Sequence, residues 1–303
     1  MTAVTTPFFS ILASSSSDFW PTSPLLLAVL SPVLAIFLYG LYLWTIGTPQ
    51  QREHAVDVWI RGVVAGALAA SVFFIPPLIG TAIIDIYTAA GGEAGNCLAP
   101  LRVDFDPNLA RYVHGVENAM KCAIEVYEQT YRRIADTYTN LFQTSTVSGI
   151  FAVTSSLSMG IFQIALPFSG AASGALIALT AAKVAAYVAI AFAALAGLGA
   201  VLIATERMQT LGAVIVAGAM AMPPVLAGLA DAIEPLAEKI PHAQGVLGAI
   251  SNLNFFDWGK YVYGTGAVAE ISAYTALALS VMAAAVAAIS YALSRVPQHL
   301  SVE

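Results

Sequence analysis

Six apolar stretches, each long enough to cross a lipid bilayer, run through this 303-residue chain, near residues 24–46, 62–86, 147–168, 184–204, 209–230 and 267–293. A hydrocarbon layer ~30 Å thick takes about 20 helical residues. Only 10% of the residues are charged, against about 25% in a soluble domain, so too few polar groups exist to wrap these stretches in a water-facing exterior. The runs are continuous rather than alternating. A strand-built barrel, whose lipid-facing and lumen-facing residues alternate, is therefore excluded. The expected fold class is all-α: a polytopic transmembrane helical bundle of about six spans, with residues 1–303 forming a single membrane domain. The net charge of −6 argues against a surface that coats nucleic acid.

Residues 91–146 break the apolar pattern and are expected to form an extracytoplasmic loop-helix insertion. Both cysteines of the chain, Cys97 and Cys122, fall in it. An oxidising exterior would join them in a disulfide, worth roughly 3 kcal/mol in the chain-entropy model. The other reading is two buried free thiols. A zinc centre needs four ligands, and His114 is the only imidazole in this interval, so no metal is expected. Asp106-Pro107 resembles a helix cap followed by a first-turn proline. From there apolar residues recur in steps of three and four at Leu109, Val113, Val116, Met120, Ala123, Tyr127, Tyr131, Ile134, Tyr138 and Leu141. That period predicts a long amphipathic helix over 107–142, with Gly115 the natural place for a bend. Its polar face carries Glu117, Lys121, Glu125, Glu128 and Arg132 at helical spacing. Such a face suits either a solvated helix or one that packs with copies of itself or with a partner.

Charge sets the orientation. With the N-terminus outside, Arg52, Arg61, Lys183, Lys239 and Lys260 fall inside, and only Arg207 and Arg295 fall on short outer segments. The positive-inside rule favours that arrangement, and six spans then place the C-terminus outside too. Residues 1–23 contain no Lys or Arg, so the positive start of a cleavable signal peptide is missing. The string Pro-Phe-Ser-Gly-Ala-Ala-Ser-Gly at 167–174 is expected to separate the third and fourth spans. Residues 231–266 become a cytoplasmic inter-span segment. Its Phe255, Phe256, Trp258, Lys260 and Tyr261 read as an interfacial belt or as a surface for docking a partner.

No catalytic signature is present: no HExxH, no glycine-rich phosphate loop, no GxSxG. The four histidines are scattered over different loops. The chain is therefore expected not to be an enzyme and to carry no cofactor. Ionisable groups in spans are costly and mark function. Asp85 is placed at the outer end of the second span and Asp231 at the inner end of the fifth. Lys183 and Glu270 both fall at the inner leaflet, where they form an intramembrane ion pair or reach water separately. Pro76-Pro77 and Pro223-Pro224 are expected to kink the second and fifth spans. Each pair follows a Val-Ala-Gly-Ala string, at 64–67 and 216–219. This hints at two three-span halves in inverted orientation, as in secondary transporters.

An outer N-terminus, several Ala/Gly-rich spans and a sizeable outer region at 91–146 with Cys97 and Cys122 together give a layout that resembles a known family. It is that of the polytopic inner-membrane channel subunits of type IV secretion and conjugation systems, in particular the Ced-type membrane proteins of archaeal DNA import. The resemblance implies a homo-oligomeric pore or assembly platform in the cell membrane. It implies pilin-like small membrane subunits and a cytoplasmic ATPase as partners, with single-stranded DNA in transit. It transfers no functional residue. A secondary transporter, or a structural subunit of another membrane complex, is the alternative.

Overall fold

A computed structural model describes residues 24–89, 95–101, 109–150, 155–205, 208–241 and 258–295. Every regular element among them is helical: α1 (Pro24–Ile46), α2 (Pro49–Ala89), α3 (Leu109–Ile150), α4 (Ser155–Ala204), α5 (Gln209–Glu238) and α6 (Trp258–Leu293), plus a 3-10 turn at Ala99–Leu101. Five of them, all but α3, are long and apolar enough to cross a membrane.

Five such helices stand where six spans were expected. The stretch 147–168 is not an element of its own. α3 continues to Ile150, residues 151–154 lie outside the described set, and α4 then runs unbroken through 167–174. Packing explains the continuity. Phe168, Ala172, Ala175 and Leu179 fall at helical spacing and are all buried, so tertiary burial outweighs the poor helix propensity of Gly170 and Gly174. Ser169 and Ser173 donate to the carbonyls of Leu166 and Gly170 at 2.7 and 2.9 Å, which keeps their hydroxyls from competing with the helix. Pro76-Pro77 and Pro223-Pro224 lie buried inside α2 and α5, each of which continues as one helix.

Two layers of core fix the relative directions of α2, α4, α5 and α6. One layer holds Ala65 and Ala69 of α2, Ala200 and Ile203 of α4, and Ala213 and Val216 of α5, with Leu293 of α6 packed against it. The other holds Ile84, Phe168, Leu226 and Ile271 from the same four helices, joined by Leu98, Leu101, Tyr127 and Ile134. α2 and α5 therefore run parallel, from the α4–α5 turn toward the disulfide end, and α4 and α6 run the opposite way. This corrects the expectation of inverted three-span halves, in which the second and fifth spans would be antiparallel.

The same packing corrects the expectation for the start of the 231–266 segment, whose residues 242–257 lie outside the described set. The backbone of Cys97 and Leu98 bonds to Asp231, so the start of the cysteine insertion and the far end of α5 stand at one end of the bundle. They were expected on opposite faces of the membrane. Among the described residues five helices rather than six are long and apolar enough to span, and α5 brings its C-terminal end to the Cys97–Leu98 turn.

α1 packs low against α2 through Leu43, Ala55 and Val58, with Trp44 and Trp59 ring centroids 5.6 Å apart. It also crosses α4 at Gly197, where a Cβ would collide with the backbone carbonyl of Val29. Only glycine permits that approach. Gly197→Leu should push α1 off α4 and lower the unfolding midpoint in detergent, an overpacking cost of about 1–3 kcal/mol; an unchanged midpoint would refute the close crossing.

Candidate functional site at the disulfide end

The far end of the bundle is a joint between α3, α5 and the turn at 95–101. Cys97 and Cys122 are linked by a disulfide with Cα atoms 5.3 Å apart, which ties the turn to α3. The turn is tied to α5 by Asp231, 8% exposed. Its Oδ1 accepts from the Cys97 N–H and its Oδ2 from the Leu98 N–H, both at 2.9 Å. These amides open a short helical turn and have no local acceptor, the usual plight of a helix N-terminus. Here a carboxylate 134 residues away supplies the cap. Gly95 makes room for it, since a Cβ there would overlap the carboxylate.

α3 also collects the end of α5. Arg133 Nη1 donates to the Ala237 carbonyl at 2.8 Å and Thr137 Oγ1 to the Pro241 carbonyl at 2.7 Å. The Ala237 carbonyl belongs to the last turn of α5 and also accepts from the Ile240 N–H at 3.2 Å, and the guanidinium favours the negative end of the helix; Pro241 lies three residues beyond that helix. Deeper down, the buried Tyr127 hydroxyl donates to the Leu226 carbonyl at 2.6 Å. Burial, with a smaller push from the nearby negative charge of Asp231, holds the Tyr127 pKa far above the ordinary phenol range, so it stays a donor at any physiological pH. Tyr127→Phe should cost about 1 kcal/mol, one hydrogen bond's net worth, read as a shift in denaturant midpoint.

Lys183 does not pair with Glu270. Its ammonium donates to Glu128 Oε2, and Glu128 Oε1 accepts from Arg132 Nη2 at 2.8 Å. Because α4 is continuous, Lys183 lies at mid-helix beside α3, while Glu270 is on the exposed side of α6. The Lys183 hydrogen bond first, and Arg132 second, lower the Glu128 pKa below the usual carboxylate range. A lowered folded-state pKa stabilises above the unfolded value and is lost as pH falls through the folded one. Lys183→Met should therefore flatten the acid limb of the stability–pH profile below the ordinary glutamate range; an unchanged limb would rule out this coupling.

Gly115 is no bend. A Cβ there would come within 2.5 Å of the Pro100 carbonyl oxygen, so the glycine admits the turn against α3. Beside the joint a cleft of about 80 Å³ opens between α3 and α5, lined by Gln129, Thr130, Arg133, Glu234 and Glu238. It has room for a few waters. Among the described residues no group of three His, Cys, Asp or Glu could hold a metal ion. Phe255 and Phe256 lie outside the described residues; Trp258, Lys260 and Tyr261 open α6, with side chains outside that set.

No protein-family model, curated protein or solved structure matches the chain. The joint must be read from its own geometry. Asp231, Tyr127, Arg133 and Thr137 spend their polar groups on holding three segments together. Asp231, Tyr127, Arg133 and Thr137 escaped the sequence reading as a set. A signal existed for one of them: a lone aspartate in an apolar helix, next to a turn-rich segment elsewhere whose amides need acceptors.

Proposed function

We propose that this protein is a multi-pass subunit of a DNA-transfer channel in the cytoplasmic membrane, in the manner of conjugation and type IV secretion systems, and that it serves there as an assembly platform. The observation that supports this reading most is the locked joint. A disulfide, a buried carboxylate, two side-chain bonds to α5 carbonyls and one to the Pro241 carbonyl tie α3 to the turn and to α5, which is what a platform for other subunits needs. The partners are further copies of this chain, pilin-like small membrane subunits and a cytoplasmic ATPase. Single-stranded DNA passes alongside the packed bundle rather than through it.

The disulfide end faces outward in this reading, as a persistent disulfide requires. With five spans the N-terminus is then outside and the C-terminus inside. Arg52, Arg61, Arg207 and Arg295 fall on the cytoplasmic side and Lys239 and Lys260 on the short outer segment, four against two, in keeping with the positive-inside rule.

A secondary transporter with inverted halves loses its main support, since α2 and α5 run parallel. A structural subunit of another membrane complex shares the geometry and is separated by assay. Deleting the gene should abolish DNA transfer, with recovery of the protein in a complex with an ATPase. Saturable solute uptake by the lone protein in liposomes, or undiminished DNA transfer in the deletion strain, would overturn the proposal.

A further inference from the structure

Thr130 of α3 is 2% exposed, yet its hydroxyl has no hydrogen-bond partner among the described residues. Other helical threonines of this chain avoid that cost. Thr137, Thr139, Thr180, Thr205 and Thr275 each donate to the carbonyl four residues back, at 2.7–2.8 Å. A buried hydroxyl left unmade pays its full desolvation, so each such group in a folded protein asks for a partner. Thr130 lines the cleft of about 80 Å³ between α3 and α5. Water alone would satisfy the hydroxyl, but it leaves the charges of the cleft unexplained.

Two carboxylates share that cleft. Glu238 closes α5, and Glu234 stands one turn before it. Their placement opposes ordinary helix chemistry. Negative charge is unfavourable at the negative end of a helix, and like charges four residues apart repel. Among the described residues neither carboxylate has an ion pair or a hydrogen bond, and Lys239, next in the chain, bonds to neither. Arg133 also lines the cleft. It spends Nη1 on the Ala237 carbonyl at 2.8 Å and forms no salt bridge to either glutamate. The lining therefore carries one net negative charge, beside an apolar wall made by Val126 and Ala237.

These groups select a ligand class. One net negative charge is met by a monovalent cation. A calcium-like ion wants about six to eight oxygens and would face a guanidinium here. An alkali ion would make no use of the apolar wall. An ammonium has three N–H donors, and the cleft offers three side-chain acceptors with no other bond: the two carboxylates and the Thr130 hydroxyl. A quaternary ammonium has no N–H to give them. The volume takes a few heavy atoms, far below the size of a drug-like site.

We infer that this cleft binds a primary ammonium on a short carbon stem, held by Glu234, Glu238 and Thr130, with Val126 and Ala237 against its carbons. A free amine and the ethanolamine headgroup of a phospholipid present the same group. The inference does not depend on the DNA-transfer reading.

The test is ethanolamine added to the protein in nanodiscs of phosphatidylcholine, whose headgroup has no N–H, read as the thermal unfolding midpoint. A saturable rise is expected, with none from tetramethylammonium chloride or potassium chloride at the same concentration. Glu234→Gln with Glu238→Gln should abolish the rise without lowering the midpoint of the unliganded protein. Thr130→Val should leave the unliganded midpoint unchanged, because the hydroxyl it removes has no partner. It should nonetheless raise the half-saturating ethanolamine concentration about tenfold, the worth of a hydrogen bond to a charged group. Discs containing phosphatidylethanolamine separate the two sources. A wild-type midpoint already raised there, and no longer responsive to ethanolamine, assigns the cleft to the lipid; an undiminished response assigns it to a free amine. No rise from either ethanolamine or the lipid would overturn the inference. So would an equal rise with potassium, a rise that survives in the double glutamine variant, or a Thr130→Val protein that is less stable without ligand.

Discussion

Cys122→Ser should lower the unfolding free energy of the detergent-solubilised protein by about 3 kcal/mol, the chain-entropy value for a closed loop of this size. The bridge spans 25 positions and constrains the unfolded chain more than it packs the folded one. Reducing the wild-type protein should therefore give the same midpoint as the variant. Cys97→Ser should be worse than Cys122→Ser. Cys97 is fully buried, so a serine hydroxyl there enters an apolar site, a further cost of about 1–3 kcal/mol if it finds no partner. Identical midpoints for oxidised and reduced protein would show that the disulfide contributes nothing to the fold.

Asp231→Ala should destabilise by about 4 kcal/mol. Two buried amide donors, those of Cys97 and Leu98, lose their acceptor together, at about 1–3 kcal/mol each. Asp231→Asn keeps one acceptor oxygen and should cost about half as much. Hydrogen exchange separates this from a general loosening. The Cys97 and Leu98 amides should lose protection in the alanine variant while those of α4 keep theirs. Because Cys122→Ser and Asp231→Ala release the same turn, their double variant should fall short of the sum of the two. Full additivity would mean that the bridge and the carboxylate hold separate structures.

Much of the membrane part was legible because burial in lipid and helical period leave strong marks. The stretches 62–86, 184–204, 209–230 and 267–293 all lie within described helices. The amphipathic seam of α3 was legible too, although too broad: Tyr127 and Ile134 are buried, while Tyr131 and Tyr138 are not, because a helix wedged against two neighbours hides only a narrow stripe. What the residues concealed was long-range. The string at 167–174 looks like a break by propensity, and only its buried neighbours make it a helix. Lys183 has a carboxylate partner within reach on α3 rather than on α6, and no local spacing can say so. Asp231 looked like a charge seeking an interface, because its true partners are backbone amides, which leave no residue type to read.

The cap on the 95–101 turn also imposes a timetable on synthesis. Ribosomes add about 5–20 residues per second, so the 134 positions between Cys97 and Asp231 take about 7–27 s to translate at those rates. Cys122 emerges only a few seconds after Cys97. During the interval the sulfur bridge is the covalent tie that holds the turn to α3, and a nascent chain that meets an oxidant late would present Asp231 with a turn not yet fastened there.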